Sequence, residues 1–439
     1  MLDLLVIGAG LTGLLAAYTA ARAGLRVRVI AKGMGTTHWH AGTIDLLGYL
    51  PGEQNPVSDW VEAVPELPAA HPYRLLGVDA IRTAMFEFQR LVAAAGLPYE
   101  SAAGPVPAGV SGGSGGQDGR NTLLISPVGA PRPVYLAPAA QRPANLEDVR
   151  PMVIVGLAGM PDFYPALIAE NLRRLGHRAR SATLPLDKLT TRRDNSPLQL
   201  ARLLDEPAAQ ASLAEMVADA ASGERVGLPA VLGLHGHASI CARLREATAE
   251  RAFFEIPTLP PSVPGLRLYK VLHERLAGLG VRVETGMEVC GFGADGRRIQ
   301  WVESETGSRP LRHGARNFLL ATGGILGGGI LGERSGRVRE VVFDLPLTAP
   351  EARSQWLRPL FLDNRGHPVF QGGVAVDTRF QPLDKSGAPV YDNLWAAGSV
   401  LAHTDPIRER SREGIAIATA YAAARAVARA VSPSPAAVN

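Results

Sequence analysis

The sequence predicts an α/β fold: a Rossmann-type dinucleotide-binding domain, discontinuous along the chain, that carries an inserted cap or substrate domain. Three observations predict it. The chain opens on an apolar run followed at once by Gly8-x-Gly10-x-x-Gly13. A helical stretch and a second apolar run then complete a strand–helix–strand unit of about 30 residues, the size this motif needs. The same alternation fades after residue 50 and returns at residue 265. The binding domain is therefore expected over 1–50 and 265–439, and the cap over 51–264. A chain of 439 residues, 46% of them hydrophobic, is long enough for two or three such units.

Residues 2–7 are apolar apart from Asp3 and read as a buried parallel strand. Residues 14–23 favour helix, and Gly24 stops it. Residues 25–30 form the second strand, with Val27 and Val29 on one face. The stretch 33–52 is rich in Gly, Thr and His and reads as a functional loop, and 79–95 as an amphipathic helix. Residues 104–120, with Gly112-Gly113-Ser114-Gly115-Gly116, read as a loop or hairpin tip. In the cap, 152–155 reads as strand, 163–174 as helix, and 196–245 as mostly helix, before Pro260-Pro261 stops the chain. Beyond it come a helix over 266–279, a strand over 281–284 and an antiparallel pair, 289–299 and 300–304, around Asp295-Gly296. Strands over 317–321 and 394–397, a last helix over 414–431 and a frayed tail over 432–439 complete the reading.

Composition narrows the function. Charged residues make up 20% and the net charge is +4, with no dense basic run among aromatics, which argues against nucleic acid. Lysine occurs only at Lys32, Lys188, Lys270 and Lys385, so the positive charge is nearly all arginine, suited to phosphates and carboxylates. Cys241 and Cys290 are far apart, which excludes an iron–sulfur cluster, a zinc site or a disulfide framework held by this chain, and no metal site is expected. Both read as ordinary buried thiols in a reducing compartment. The chain opens directly on a strand, leaving no room for a signal peptide. No run of about 18 uncharged apolar residues is present, and the stretch 414–431 is interrupted by Arg425 and Arg429.

The motifs point to a bound nucleotide. Gly8 permits the tight turn, Gly10 lets a pyrophosphate approach the backbone, and Gly13 lets helix pack on strand. The helix N-terminus offers free N–H groups to the anion. The second strand ends on Ala31 rather than the acidic residue that usually binds the adenosine ribose, and Lys32 follows. That leaves two cofactors open, FAD and, as the alternative, FMN. Next comes Gly35-Thr36-Thr37-His38-Trp39-His40-Ala41-Gly42-Thr43, similar to the loop that lines pyrophosphate and ring in fumarate reductase and aspartate oxidase flavoproteins. His38, Trp39 and His40 are placed to stack on or hydrogen-bond to the flavin. Ala321-Thr322-Gly323-Gly324 resembles the strand-end element that such enzymes set against the cofactor. Asn393-Leu394-Trp395-Ala396-Ala397-Gly398-Ser399 resembles the strand that ends on the ribityl chain, with Ser399 in place of an acid. Gly414 and Ile415 then open the last helix, whose N-terminus is expected to face the flavin and favour its reduced, anionic form. Arg408 and Arg412, spaced i, i+4, would face one anion if helical.

Together with His40-Ala41-Gly42-Thr43-Ile44-Asp45-Leu46-Leu47 and the run Phe254-Glu255-Ile256-Pro257-Thr258-Leu259-Pro260-Pro261-Ser262-Val263-Pro264-Gly265, these motifs span nearly the whole chain. In them the chain resembles the B-subunit family of anaerobic glycerol-3-phosphate dehydrogenases. The resemblance implies a flavoprotein subunit of a three-subunit complex that oxidises glycerol 3-phosphate to dihydroxyacetone phosphate and passes electrons to membrane quinone. It implies two partners, a second flavoprotein subunit and an iron–sulfur subunit, and a cytoplasmic place on the inner face of the cell membrane through them. The flavin is expected to be non-covalent, since no histidyl-flavin motif is evident. By placement, Arg267, His403, Arg408 and Arg412 are the candidate substrate and catalytic residues, with His403 as base and Arg408 for the phosphate. Two other readings stay open: a flavin-bearing relay or assembly protein with no substrate site, and an FAD-dependent dehydrogenase or reductase for a keto acid.

Overall fold

The computed structural model describes residues 1–105, 119–192, 195–248, 252–305 and 309–431. The tail and nearly all of the glycine-rich stretch after Gly104 lie outside the described residues. One sheet forms the binding domain. Its parallel strands run in the order Arg282–Thr285, Val27–Ala31, Leu2–Ile7, Leu311–Leu320 and Leu394–Ala396. The hairpin Glu288–Asp295 and Arg298–Glu305 extends the sheet antiparallel from the early half of Leu311–Leu320. Leu4, Leu5 and Val6 are fully buried, as strands covered on both faces require.

Register positions the site. Ile7 pairs with both Ile30 and Leu320, and Leu320 pairs with Ala396. Three neighbouring strands therefore end level, and the loops after Ile7, Leu320 and Ala396 emerge side by side at the carboxyl edge, where α/β sheets bind ligands. The helix Leu11–Arg22 covers this sheet and packs against the last helix, Arg412–Val431. By length and composition that last helix could cross a membrane, but 56% of its apolar window is buried inside the fold. It packs on Leu11–Arg22 and on Val78–Ala93 as a core helix of this domain.

The insertion holds a second parallel sheet, ordered Phe253–Ile256, Arg225–Pro229, Met152–Leu157, Ala179–Leu184. The stretch expected to be mostly helix over 196–245 thus contains a central strand, Arg225–Pro229, buried at every position. Its five residues include Gly227 and Pro229 and show no alternation, so nothing local marks it as a strand. Apolar residues of the expected cap divide between two cores. Trp60, Tyr73, Phe88, Tyr99, Tyr135 and Leu136 pack into the core of the binding domain, and the core of the second sheet takes in Leu124, Ile125, Val134 and the apolar residues from Ala137 to Ile256. The helix expected over 266–279 starts earlier and spans Val263–Gly278. Ser262 caps it by accepting from the Gly265 N–H, and Pro264 sits in the first turn, where proline costs no hydrogen bond.

Candidate functional site

Two glycines fix the nucleotide loop. Gly8 has φ +120° and its N–H donates to Ile30 O at 2.8 Å, and any Cβ there would overlap the Ala321 carbonyl. A Cβ on Gly13 would overlap the Gly8 carbonyl oxygen, so the helix can close on the turn only with glycine. Gly10 is the N-cap of Leu11–Arg22 and supplies no side-chain cap. The first turn's N–H groups are thereby left for an anion.

A cavity of about 960 Å³ opens along this edge, at the upper end of the range for small-molecule sites. Of the expected cofactor residues, Gly8, Gly10, Lys32, Thr36, Thr37, Ala321, Thr322, Gly323 and Ser399 line it. Gly324 lines a small side pocket with Ser399 and Arg412. The others support the walls. Gly13 packs on Gly8, Gly42 on Pro264, Gly398 on Thr12, and Gly414 on Tyr73 and Leu46. Thr43 donates to Asp45, and Ile415 is core. Trp39 and His38 also line the cavity, in an edge-on contact with each other.

The two ends of the cavity differ chemically. At the end beside the second strand, Glu288 and Glu305 line the wall, and Glu288 accepts from Lys32 at 2.8 Å. The Met287 N–H donates to Ala31 O, so the Glu288 strand starts directly against the end of the second strand. A carboxylate is thus present where Ala31 lacks one. Cys290 also lies here and is exposed, which corrects the expectation of two buried thiols; Cys241 is buried.

At the other end, His40, Ser399, Arg412 and Glu413 line the cavity. The Gly42 N–H donates to His40 Nδ1 at 2.9 Å, which leaves the ring proton on Nε2. Burial, then the nearby Arg412, pull His40 down to about 3, so the ring is neutral. Its buried Nε2–H has no partner among the described residues, and neither do Thr37 Oγ1 and Thr322 Oγ1. Such orphaned groups fit a polar ligand that the protein chain does not itself supply. Arg412 opens the last helix and donates to Glu413 at 3.1 Å.

Three of the four residues expected to act on substrate do not line the cavity. Arg267 is 4% exposed and forks onto the fully buried Glu255 at 2.7 and 2.9 Å. Burial works against the Glu255 charge, yet Arg267 and His237 hold the carboxyl below its usual range. Arg408 donates to the Leu362 and Asp363 carbonyls. It lies before the helix rather than in it, so the i, i+4 pairing with Arg412 does not form. His403 is exposed, with φ +65°, on the loop after Ser399. Arg412 alone reaches the cavity. Behind the His40 end, Arg132 of the insertion, which the sequence did not single out, donates through Nη1 to Thr43 Oγ1 and Asp45 at 2.7 and 3.1 Å.

The geometry fits an FAD molecule: the glycine loop for its pyrophosphate, the Lys32–Glu288 end for adenosine, and the His40–Arg412 end for the ring. The FAD binding domain family matches residues 3–414. The chain is 34% identical over 447 residues to the probable anaerobic glycerol-3-phosphate dehydrogenase B subunit of Halobacterium salinarum, covering 98% of each chain. It is 30% identical to the anaerobic glycerol-3-phosphate dehydrogenase B subunit of Yersinia enterocolitica, again over 98% of each. The corresponding Vibrio cholerae protein is 29% identical, over 97% of this chain and 96% of its own. Among solved structures, 3-ketosteroid delta1-dehydrogenase from Sterolibacterium denitrificans overlaps 98% of this chain and 99% of its own, at 12% identity and a TM-score of 0.44. The chain is a flavoprotein oxidoreductase that takes FAD, and it belongs to the FAD binding domain family and, within it, to the family of anaerobic glycerol-3-phosphate dehydrogenase B subunits.

Proposed function

We propose that this chain is a substrate-oxidising flavin subunit that converts glycerol 3-phosphate to dihydroxyacetone phosphate and delivers the electrons, through partner subunits, to quinone. The observation that carries the reading is the meeting of Arg412, neutral His40 and the N-terminus of the Arg412–Val431 helix at one end of an FAD-sized cavity. Bound non-covalently, FAD would supply the hydride acceptor. The hydroxyl proton of the alcohol would leave to water, because His40 already carries its Nε2 proton. The chain's residues orient and stabilise. The helix N-terminus and Arg412 favour negative charge at that end. His40, held as the Nε2–H form, donates a hydrogen bond to an oxygen of substrate or cofactor. Of the residues expected to act on substrate, Arg412 is the one this reading retains. His403, Arg408 and Arg267 are not part of this proposal.

Subunit names among the relatives support membership of a complex. Its expected partners are a second flavoprotein subunit and an iron–sulfur subunit, with membrane contact through them. Leu357, Leu360, Phe361 and Leu362 are exposed close together, beside Arg408, the kind of surface a partner protein covers. This surface also favours a second reading, in which the chain relays electrons and oxidises nothing itself. Anaerobic titration of the flavin-loaded protein with glycerol 3-phosphate separates the two. Bleaching of the visible flavin band supports oxidation here. A flavin that bleaches with dithionite and not with glycerol 3-phosphate supports the relay.

A further inference from the structure

A second, smaller pocket of about 60 Å³ opens beside the large cavity. Thr36, Ser399 and Arg412 line both spaces, while Phe370, Pro406 and Ile407 line only the small one. The pocket therefore adjoins the cavity at its Arg412 end, away from Lys32 and Glu288. One water takes about 30 Å³. The pocket thus has room for a group of a few heavy atoms, the size of one phosphate or carboxylate, and is too small for a flavin ring.

Among the described residues that line this pocket, Arg412 alone is charged. Its Nε donates to Glu413, and its two Nη groups make no hydrogen bond among the described residues. Ser399 and Thr36 bring hydroxyls to the wall from two other loops. An open guanidinium edge with hydroxyls around it suits an oxyanion. The outer wall is held in place from behind. Asp405 Oδ1 accepts from the N–H groups of Ile407 and Arg408 at 3.2 and 3.1 Å. The buried Glu409 carboxylate accepts from the Asp405 N–H and from Thr404, Ser411 and His71, at 2.9 to 3.2 Å. These bonds fix the stretch 404–411 directly before Arg412. Leu326 and Ile407, both in the pocket wall, are 52% and 47% exposed. On that side the pocket meets solvent, so a small molecule can enter with FAD already in the cavity.

We propose that this side pocket is the anion subsite for the substrate: the Nη edge of Arg412 holds the phosphate there, and Phe370 and Ile407 bound the space around it. The inference rests on the reading of a phosphorylated alcohol as substrate. It separates two tasks in space. The large cavity holds the cofactor, and the side pocket selects a small phosphomonoester and leaves its carbon chain directed at the Arg412 end of the cavity. Phe370 and Ile407 are then residues that set specificity.

The test uses the flavin-loaded protein, in which the cofactor's own pyrophosphate occupies the glycine loop, and the variants Arg412→Gln and Ile407→Trp. Ile407 is half exposed, so the indole fills the pocket without disturbing the core, and this variant serves if Arg412→Gln does not fold. Half-saturation for glycerol 3-phosphate is expected to rise roughly 100-fold in Arg412→Gln and roughly 10-fold in Ile407→Trp. The rise for unphosphorylated glycerol in Arg412→Gln should be far smaller. Flavin content and the affinity for FAD should hold in Ile407→Trp. Unchanged half-saturation for glycerol 3-phosphate in Ile407→Trp overturns the proposal. So does loss of flavin from that variant, which would give the pocket to the cofactor, and so does an equal rise for glycerol and glycerol 3-phosphate in Arg412→Gln. If the parent protein is not reduced by glycerol 3-phosphate, the functional reading fails. Calorimetry with inorganic phosphate then decides the subsite separately: binding to the parent and not to Ile407→Trp supports it, and equal or absent binding overturns it.

Discussion

Arg267, on the helix Val263–Gly278, and Glu255, on the strand Phe253–Ile256, are joined by a buried two-pronged ion pair that ties the second sheet to the binding domain. The Glu255 side chain also accepts from the Leu232 N–H, and Arg267 Nε donates to Gly233 O. The pair is therefore satisfied on both sides and available for joining, not for chemistry. Replacing Glu255 with Ala strands a buried guanidinium and should lower stability by about 3–5 kcal/mol, read by chemical denaturation. Turnover per folded molecule should stay near the parent value. A variant of normal stability that lost its turnover would return Arg267 to the substrate site.

The glycine loop separates two kinds of failure. Gly13→Ala drives a methyl into the Gly8 carbonyl and should displace the first helix, costing both flavin and stability. At Gly10 a Cβ meets no protein atom within 4 Å and points into open space at the cavity. Gly10→Ala should leave the melting temperature of the apoprotein nearly unchanged and weaken FAD binding, because only the ligand meets the methyl. Flavin content and melting temperature, measured together, check both. Equal flavin content in Gly10→Ala and parent would remove the pyrophosphate from this turn.

What the sequence could and could not disclose follows from the range of each interaction. The nucleotide loop was legible because its constraints are local: a carbonyl of Gly8 and a methyl that Gly13 must lack lie within one turn. The strand ends at Leu320 and Ala396 were legible to within a residue because short apolar runs closed by small residues mark buried parallel strands. Arg132 was not, because Thr43 and Asp45 lie 89 and 87 residues away and no pattern in the insertion hints at them. Arg267 was expected at the substrate for the opposite reason. Its charge shows in the sequence, but the partner that neutralises it is known only once strand and helix are packed.

The missing acid after the second strand has a substitute. Glu288 comes from a strand that begins against Ala31, lines the cavity and is steadied by Lys32. A carboxylate in that place can accept from the ribose hydroxyls of the adenosine half. Glu288→Ala should raise the Kd for FAD about 10-fold, since the group is half exposed and its hydrogen bond is worth less than a buried one. The Kd for FMN, which lacks that half, should not move. Fluorescence titration of the apoprotein with each flavin checks this, and a parallel loss for FMN would show that Glu288 shapes the wall without touching adenosine.

Two histidines make the fold sensitive to mild acid. Burial, then Arg412, hold His40 down to about 3, and burial, then Arg267, hold His237 down to about 4. Both ordinarily titrate near 6.5, so in the unfolded chain they take up protons that the folded chain refuses. Their contribution to stability is complete above pH 6.5 and declines as pH falls toward 4 for His237 and 3 for His40. Each adds a slope of about 1.4 kcal/mol per pH unit inside its window. His237 hydrogen-bonds through Nδ1 to Leu232 O at 2.7 Å, a bond that the amide of Gln can also make. His237→Gln should therefore hold stability near neutral pH and flatten its decline between pH 6.5 and 4 by about one proton's worth. Denaturation series at several pH values measure that slope. A decline as steep in the variant as in the parent would place the acid sensitivity on other groups.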